Sequence, residues 1–232
     1  MSDDETPAVA ERYARRAVGD RYSLLRPEVW QMLQERQREL LRMFVRHGCT
    51  ELAALRLTEV GCGTGGNLLE LLRLGFAPPN LQGIELLPDR QRQARAVLPA
   101  ATLVSLGDAS QTEIDPGSQD FVLQSTVFSS LLDDAFQQRL ADAMWRWLKP
   151  GGAVLWYDFT MDNPRNADVR GVPLRRLREL FPLAAIEHRR VTLAPPLARA
   201  VCRVHPSLYT VLNALPLLRT HLLAWVGKPR AG

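Results

Sequence analysis

Residues 57–67 read Leu-Thr-Glu-Val-Gly-Cys-Gly-Thr-Gly-Gly-Asn. A short apolar run ends at the acid Glu59, and glycines then follow at alternate positions, Gly61, Gly63 and Gly65. A leucine-rich segment that predicts a helix begins directly after them. Because glycine has no Cβ, it lets a backbone turn sharply and approach a ligand closely. A strand, a glycine turn and a helix in this order predict a site for a nucleotide-type cofactor.

The composition is that of a folded domain whose C-terminal third is basic. The chain has 232 residues, of which 46% are hydrophobic, so it can bury a core of its own. Residues 1–150 carry 17 Lys and Arg against 20 Asp and Glu, whereas residues 151–232 carry 12 against 5. The basic part suits an anionic substrate, a nucleic acid or a membrane surface, and it is as typical of an ordinary solvated surface.

Targeting and redox features favour a cytoplasmic protein. Residues 1–7 are acidic and polar, unlike a signal peptide. Polar residues and a proline interrupt the apolar stretch 211–226, which therefore does not predict a membrane span. The three cysteines, Cys49, Cys62 and Cys202, are scattered along the chain. Their number and spacing predict neither a disulfide framework nor a metal site.

From residue 55 onward, predicted strands alternate with predicted helices. The strands are expected at 55–60, 81–85, 101–106, 120–124, 153–159, 185–193 and 221–226. The helices are expected at 66–74, 89–98 and 173–181, with a further one that Asp133 caps and that turns Phe136, Leu140, Met144, Trp147 and Leu148 inward. This alternation predicts a doubly wound, mostly parallel sheet between two helical layers.

Two helices are predicted before the first strand. One runs from about residue 6 to 18, and the other begins near Pro27 and stops at Gly48. The expected inward positions of the second are Trp30, Leu33, Leu40, Leu41, Phe44 and Val45. We interpret residues 1–50 as an N-terminal helical cap, either a lid over the site or a packing extension. Residues 51–232 are then the main domain, with 161–220 contributing loops and helices on the substrate side.

Acidic residues end the first three predicted strands. These are Glu59, Glu85 and Asp108, and the polar residues 124–126 follow the fourth strand. The carboxyl ends of parallel strands meet at one edge of a sheet, where ligands bind. An acid after the second strand can accept two ribose hydroxyls, and an acid after the third can accept an adenine amino group. The glycines also fit a dinucleotide fingerprint, but Glu59 disfavours a pyrophosphate and favours a cationic group such as an amine or a sulfonium.

Together these segments resemble the class I S-adenosylmethionine-dependent methyltransferases. Residues 59–65 resemble the first motif of that family, although the family commonly has Asp where this chain has Glu59. Glu85, Asp108 and residues 120–123 match the motifs after the second, third and fourth strands, and residues 148–152 match the turn before the fifth. The resemblance covers about residues 55–160. It implies a seven-stranded sheet that ends in an antiparallel hairpin.

The same resemblance implies contacts for S-adenosyl-L-methionine. It assigns the methionine half to Glu59 and the glycine turn, the ribose to Glu85, and the adenine to Asp108 and Ala109. Residues 124–126 are then expected near the methyl group. The expected contacts are Arg21, Tyr22, Glu59, Gly61, Cys62, Gly63, Gly65, Asn67, Glu85, Leu86, Asp108, Ala109, Gln124, Ser125 and Thr126. The first two would close over the cofactor from the N-terminal cap.

The segment after the fifth strand is the expected acceptor side. Residues 156–172 resemble those of uncharacterised family members from bacterial polysaccharide and secondary-metabolite pathways. The expected acceptor contacts, which suit a carboxylate or a phosphate, are Tyr157, Asn163, Arg165, Asn166 and Arg170. In the alternative, the asparagines make turn hydrogen bonds and the arginines pair with Asp162 and Asp168.

A hydroxyl acceptor would benefit from a general base. Asp158 is a candidate because it ends a strand at the expected edge, and His205 is a second. His221 is a weaker third, since a lone histidine is more often structural.

We therefore expect a methyltransferase that acts on a small or medium-sized polar metabolite. O-methylation of a sugar or a natural-product scaffold fits best, and the acceptor is expected to be anionic or lipid-linked. The alternatives are methylation of a nucleic-acid base or a protein, a non-catalytic cofactor-binding protein, and a NAD-dependent oxidoreductase. Nucleic acid is disfavoured because no Asn-Pro-Pro-Tyr-type segment follows the fourth strand and no lysine-rich extension is present. A homodimer is compatible with the sequence.

Overall fold

The computed structural model of the chain describes residues 5–15, 23–163 and 166–230, with the side chains of residues 14 and 15 left out. The strands are β1 (Leu57–Val60), β2 (Leu81–Glu85), β3 (Leu103–Leu106), β4 (Gln119–Ser125), β5 (Leu148–Phe159), β6 (Ala185–Leu193) and β7 (Arg219–Gly227). The helices are α1 (Glu5–Arg15), α2 (Pro27–Arg46), α3 (Gly66–Leu74), α4 (Pro88–Val97), α5 (Asp134–Trp147), α6 (Leu174–Leu180), α7 (Pro195–Val204) and α8 (Ser207–Asn213).

The strands form a sheet in the order β3-β2-β1-β4-β5-β7-β6. The pairs among β1 to β5 are parallel, whereas β7 is antiparallel to both of its neighbours. The direction of winding reverses between β1 and β4, and ligands bind at such a reversal. This topology confirms the predicted doubly wound sheet with its C-terminal antiparallel hairpin.

Helices cover both faces of the sheet, so the central strands are apolar on both sides. On one face, α1, α5 and α6 pack in a cluster that includes Val122 and Trp156. On the other face, α2, α3 and α4 pack in a cluster that includes Phe44 and Phe121. Adjacent residues of β4 and β5 alternate between the two clusters because side chains along a strand point to opposite faces.

The α5 helix forms as its sequence predicts. The Asp133 carboxylate accepts a hydrogen bond from the backbone N–H of Phe136, which satisfies one of the free donors at the helix start. The side chains of Phe136, Leu140, Met144 and Trp147 are all buried. Local capping and helical spacing therefore suffice to specify this helix.

The predicted inward face of α2 is partly wrong. Trp30, Leu41 and Val45 are exposed, whereas the acids Glu35 and Glu39 are buried. Glu35 accepts hydrogen bonds from the backbone N–H of Thr192 and the hydroxyl of Tyr209, and Glu39 pairs with Arg42 and Arg189. Partners that are distant in sequence thus turn these acids inward, and hydrophobic spacing could not show them.

The two N-terminal helices lie on opposite faces of the sheet, with Val9 of α1 in one core cluster and Phe44 of α2 in the other. Of the two, α1 lies over the cleft at the carboxyl ends of β1 to β3. The division into an N-terminal cap or extension of residues 1–50 and a main domain of residues 51–232 stays a prediction.

The segment between β6 and β7 carries α7 and α8. These helices pack around Leu193, Ala198, Cys202 and Tyr209. No helix within the described ranges is both long and apolar enough to cross a bilayer.

Candidate active site

The turn after β1 adopts conformations that favour glycine. Gly61 has φ +64° and Gly63 has φ +58°. A Cβ on Gly61 would lie 2.7 Å from Cγ2 of Val127, whereas a Cβ on Gly63 would meet no atom within 4 Å. The turn is therefore tight beneath Gly61 and open beside Gly63, where a ligand can approach the backbone.

The Glu59 carboxylate is fully buried behind this turn, and only half of it has a partner. Its Oε1 accepts a hydrogen bond of 2.6 Å from the side-chain amide of Asn67, while its Oε2 has no partner among the residues that the structure describes. Burial raises the pKa of Glu59 to about 8. An unsatisfied buried carboxylate oxygen is costly. The amino group of S-adenosylmethionine supplies the donor and the positive charge that this oxygen lacks, so the residues present fit the cofactor.

Glu85 ends β2 and supports the glycine turn from the side. Its Oε2 accepts a hydrogen bond of 2.7 Å from the N–H of Gly63, and its Oε1 accepts one of 2.9 Å from the N–H of Leu87. A carboxylate oxygen can accept more than one hydrogen bond, so each oxygen retains capacity for a hydroxyl donor. The backbone bonds therefore hold the carboxylate in a fixed orientation beside the turn.

Asp108 follows β3 and is held at the far end of the cleft. Its Oδ1 accepts a hydrogen bond of 2.8 Å from the N–H of Ser110, and its Oδ2 accepts one of 3.1 Å from the hydroxyl of Thr6. Ala109 is buried in the cleft lining beside it. The first helix, α1, thus shares the acid that the sequence assigns to the adenine.

Glu85 and Asp108 line one cleft of about 620 Å³, its open mouth included, whereas the buried Glu59 lies behind its wall residues Val60 and Gly61 in the chain. Gly61, Glu85, Leu86, Asp108 and Ala109 were all predicted cofactor contacts, and the structure brings them together there. A mostly apolar lining with a few directed polar groups is typical of a ligand pocket. Residues that sequence reasoning missed also line it, namely Thr6, Val9, Tyr13 and Arg90. Nothing in the sequence of α1 marks it as a wall of this cleft.

The predicted contact Cys62 faces the core with its side chain. Burial raises the pKa of its thiol, and a Cβ on Gly83 would lie 2.6 Å from its Sγ. Its N–H donates to the carbonyl of Ile84. The small thiol therefore packs between β1 and β2.

Gly65 directly precedes the first residue of α3. Its φ of +85° lies in the left-handed region that favours glycine.

The end of β4 is tied to the end of β5. The N–H of Thr126 donates to the carbonyl of Tyr157 over 2.8 Å, and Thr126 has φ +58°, a strained value for a non-glycine residue. Gln124 is fully buried, and its side chain donates to the same carbonyl and accepts from the N–H of Val127. Both polar atoms of the Gln124 side chain are thus hydrogen-bonded within the turn. Ser125 lines a second groove together with Arg36 and Asn67.

Arg36 of α2 was missed by sequence reasoning and joins four elements at this second groove. Its guanidinium donates to Oδ1 of Asn67 over 2.6 Å and to Oγ of Ser125 over 3.2 Å, and it pairs with Glu70 at 3.3 Å. It also lies 5.2 Å from the centre of the Tyr157 ring. An arginine in a helix has no local pattern that would predict these partners.

Tyr157, an expected contact of the acceptor, has a buried side chain. Its hydroxyl lies 2.8 Å from Oγ1 of Thr192, and burial raises its pKa to about 12. The His221 ring stacks against it, and burial lowers the pKa of that histidine to about 3. Both rings are therefore neutral near pH 7.

The candidate bases have other partners. Asp158 is fully buried, with Oδ2 accepting from the N–H of Ser129 over 3.1 Å and Oδ1 accepting from the N–H of Phe159 over 2.9 Å. Burial raises its pKa to about 6. His205 is exposed at the end of α7, where its Nδ1 accepts from the N–H of Ser207. Neither residue lines the cleft beside Glu85.

The loop after β5 largely follows the turn-forming alternative. The Asn166 side chain accepts from the N–H of Asp168, as in an Asx turn. Arg170 pairs with Asp134 rather than with the predicted acids, and its N–H donates to the carbonyl of Ser129. Asn163 is exposed. Arg165, Arg21 and Tyr22 lie outside the described residues.

Comparisons with known proteins agree with this arrangement. Residues 58–156 match the family model described as a methyltransferase domain. The trans-aconitate 2-methyltransferase of Afipia carboxidovorans is 29% identical over 161 residues, which cover 68% of this chain and 56% of that protein. The tRNA N(3)-methylcytidine methyltransferase of Drosophila melanogaster is 28% identical over 113 residues, 44% of this chain and 33% of that protein. The matches thus span about half or less of these curated relatives.

A solved structure shows the same fold. The phosphoethanolamine N-methyltransferase 2 of Haemonchus contortus, in complex with S-adenosyl-L-methionine, aligns with a TM-score of 0.59 at 16% identity over 93% of this chain and 61% of that one. The strand order, the matched family model and these relatives agree with one another. Residues 58–156 therefore match a methyltransferase domain, and the sheet has the fold of a solved S-adenosylmethionine-dependent methyltransferase.

Proposed function

We propose that the protein transfers a methyl group to an oxygen of a small or medium-sized polar metabolite, a sugar or natural-product scaffold that bears an anionic group. The observation that supports the cofactor half of this proposal is the unpartnered, buried Oε2 of Glu59 beside an open glycine turn. In the proposal Glu59 binds the amino group of the cofactor, Glu85 the ribose hydroxyls, and Asp108 with Ala109 the adenine.

The cofactor supplies an activated methyl group on its sulfonium. The protein therefore contributes mainly by holding donor and acceptor in line and by excluding water. Asn67 contributes by orienting the Glu59 carboxylate through the bond to Oε1.

An anionic acceptor explains two features of the acceptor side. Arg36 brings a positive charge to Ser125 and Tyr157, at the carboxyl ends of β4 and β5. Both oxygens of Asp158 accept backbone hydrogen bonds, so this predicted base has a structural task. A carboxylate acceptor is already ionised near neutral pH and needs no general base. One of the relatives is likewise named for a carboxylate, trans-aconitate.

Calorimetry tests the cofactor assignment directly. We expect S-adenosylhomocysteine to bind and NAD to give no heat, because Glu59 disfavours a pyrophosphate at the turn. Binding of NAD without binding of S-adenosylhomocysteine would contradict the proposal.

An acceptor panel tests the substrate class. Release of S-adenosylhomocysteine would be measured with sugar acids, their neutral amides, hydroxylated aromatic scaffolds and tRNA. We expect sugar or scaffold carboxylates to react faster than their matched amides. Arg36→Lys should retain part of this preference and Arg36→Gln should lose it. Equal rates with acid and amide would refute the anionic acceptor, and reaction with tRNA alone would replace it with base methylation.

A further inference from the structure

The C-terminal fifth of the chain is basic and free of acids. From His188 to Gly232 the sequence contains seven Arg or Lys residues and no Asp or Glu. Both α7 and α8 lie within this segment. Two of the seven, Arg199 and Arg203, lie on α7, so the two helices carry positive charge and no negative charge.

Topology places the two helices at the same edge of the sheet as the cofactor cleft. β7 is antiparallel to both β5 and β6, so β6 runs in the same direction as β5. The segment from 194 to 218 leaves the carboxyl end of β6, and Leu193 pairs with Arg219 where it returns. The carboxyl ends of β1, β2 and β3 form the cleft at that edge. The insert and the cleft thus face the same side of the molecule.

One side of the insert is packed and the other is exposed. Ala198, Cys202 and Tyr209 are buried against Leu193. The outer side presents large aliphatic side chains, with Val204 79%, Val211 62%, Leu215 54% and Leu217 88% exposed. Single exposed apolar residues are ordinary, but a concentration of them on an acid-free basic segment is typical of a contact surface.

The insert is held firmly enough to present this side. The Arg219 guanidinium donates to the carbonyls of Asn213 and Arg190, over 2.7 Å and 2.9 Å. The Tyr209 hydroxyl donates to the buried carboxylate of Glu35. The neighbouring acid Glu28 of α2 pairs with Arg26. These two acids of α2 thus have partners, Tyr209 for Glu35 and Arg26 for Glu28.

We propose that the outer side of residues 195–218 docks onto an anionic lipid bilayer. The aliphatic side chains enter the headgroup boundary, and Arg199 and Arg203 contact anionic headgroups. These side chains suit acyl chains better than nucleic acid, whose bases stack on aromatic rings. Docking turns the cofactor edge toward the lipid surface. That the protein methylates an acceptor at the lipid surface rests on the proposed function, whereas docking itself does not.

Vesicle flotation tests the docking without any methyl transfer. The probes are vesicles of phosphatidylcholine alone and of phosphatidylcholine and phosphatidylglycerol in equal parts. We expect binding to the anionic vesicles that weakens as salt is raised. Leu217→Asp and Arg203→Glu should each reduce vesicle binding roughly tenfold or more. The first removes apolar area that docking would bury in lipid, and the second reverses a charge. The matched control is Leu183→Asp, which alters a similarly exposed leucine at the opposite end of β6.

The control should bind like the unchanged protein, and all three variants should bind S-adenosylhomocysteine with unchanged affinity, which verifies that they fold. No binding to anionic vesicles, equal binding to neutral ones, or equal loss in Leu183→Asp would overturn the proposal. The proposal would also be overturned if the protein bound RNA, if Arg203→Glu abolished that RNA binding, and if vesicle binding stayed unchanged in the same variant. Because methyl transfer is not measured, failure here leaves the proposed function standing.

Discussion

Glu59 is the residue on which binding of the cofactor is expected to depend most. Its Oε2 is buried without a partner among the described residues, and in the proposed binding mode the cofactor amine provides one. Glu59→Gln removes the charge while keeping the shape, so we expect affinity for S-adenosylhomocysteine to fall about 100-fold, as for loss of a buried charged hydrogen bond. Calorimetry measures this, with the exposed Glu113→Gln as the control. An affinity within a factor of three would show that the amine binds elsewhere.

The same carboxyl predicts a pH dependence of binding. With a pKa of about 8 in the free protein, Glu59 is mostly protonated at pH 7. Binding the cationic amine requires the ionised form, so binding releases a proton and affinity rises as pH increases toward 8. Calorimetry in buffers of different ionisation enthalpy measures this release. Proton uptake, or an affinity that does not change below pH 8, would contradict it.

The raised pKa of Glu59 also predicts how the stability of the free protein depends on pH. Stability is expected to fall as pH rises, whereas cofactor affinity is expected to increase. Its pKa is raised on folding, so the free protein loses stability as pH rises from about 4.5 to about 8, where folding has to bury the charge. Glu59→Gln should therefore raise the free energy of unfolding at pH 8, on the order of 1–3 kcal/mol, with little effect at pH 4.5. Urea denaturation at both pH values measures the difference. A loss of stability at pH 8 would show that the charge is favourably paired without cofactor.

Among the elements, the short helix at residues 128–130 depends on Asp158 as an anchor. Asp158→Asn replaces one acceptor oxygen with a donor that faces a backbone N–H. We expect a loss of about 1–3 kcal/mol in the free energy of unfolding. Methyl transfer should stay within about tenfold of the unchanged protein, since a general base would contribute about 100-fold or more. Urea denaturation and initial rates test both parts, and a rate loss without a stability loss would restore Asp158 as the base.

A buried ion pair fixes α1, a wall of the cleft, against residues 130–132. Arg12 pairs with Glu5 at 2.5 Å, and the two side chains also bond to the carbonyl of Ser130 and the N–H of Leu132. Arg12→Ala leaves Glu5 buried and uncompensated, so we expect α1 to loosen and affinity for S-adenosylhomocysteine to fall roughly tenfold or more.

Hydrogen exchange over residues 5–15 and calorimetry measure the two effects of Arg12→Ala. The control is Glu11→Ala, which changes an exposed position of the same helix. Faster exchange with unchanged affinity would show that α1 covers the cleft without contributing to binding.

For the whole molecule, ligand binding and folding are coupled. A ligand at 100 times its dissociation constant stabilises the folded state by about 2.7 kcal/mol, which in a domain of this size raises Tm by about 5–10 °C. We expect S-adenosylhomocysteine to produce such a rise in the unchanged protein and a much smaller one in Glu59→Gln at the same concentration. Thermal denaturation with and without ligand checks this, and equal rises in both proteins would separate Glu59 from binding.

The sequence by itself determined the sheet, the glycine turn and the order of the acidic strand ends. The predicted bounds of α3, β2 and β6 agree with the structure, and Asp133 caps α5 as expected. These features depend on neighbours within a few residues, or on the apolar pattern of a segment, so the local sequence contains the information.

Only the tertiary structure decided which polar groups meet. It buries Glu35 under Thr192 and Tyr209, brings Arg36 to Asn67 and Ser125, and joins Asp158 to the backbone of Ser129. It also makes α1 a wall of the cleft. These contacts join residues far apart in the chain, and their hydrogen bonds stabilise charges that local patterns assign to the surface.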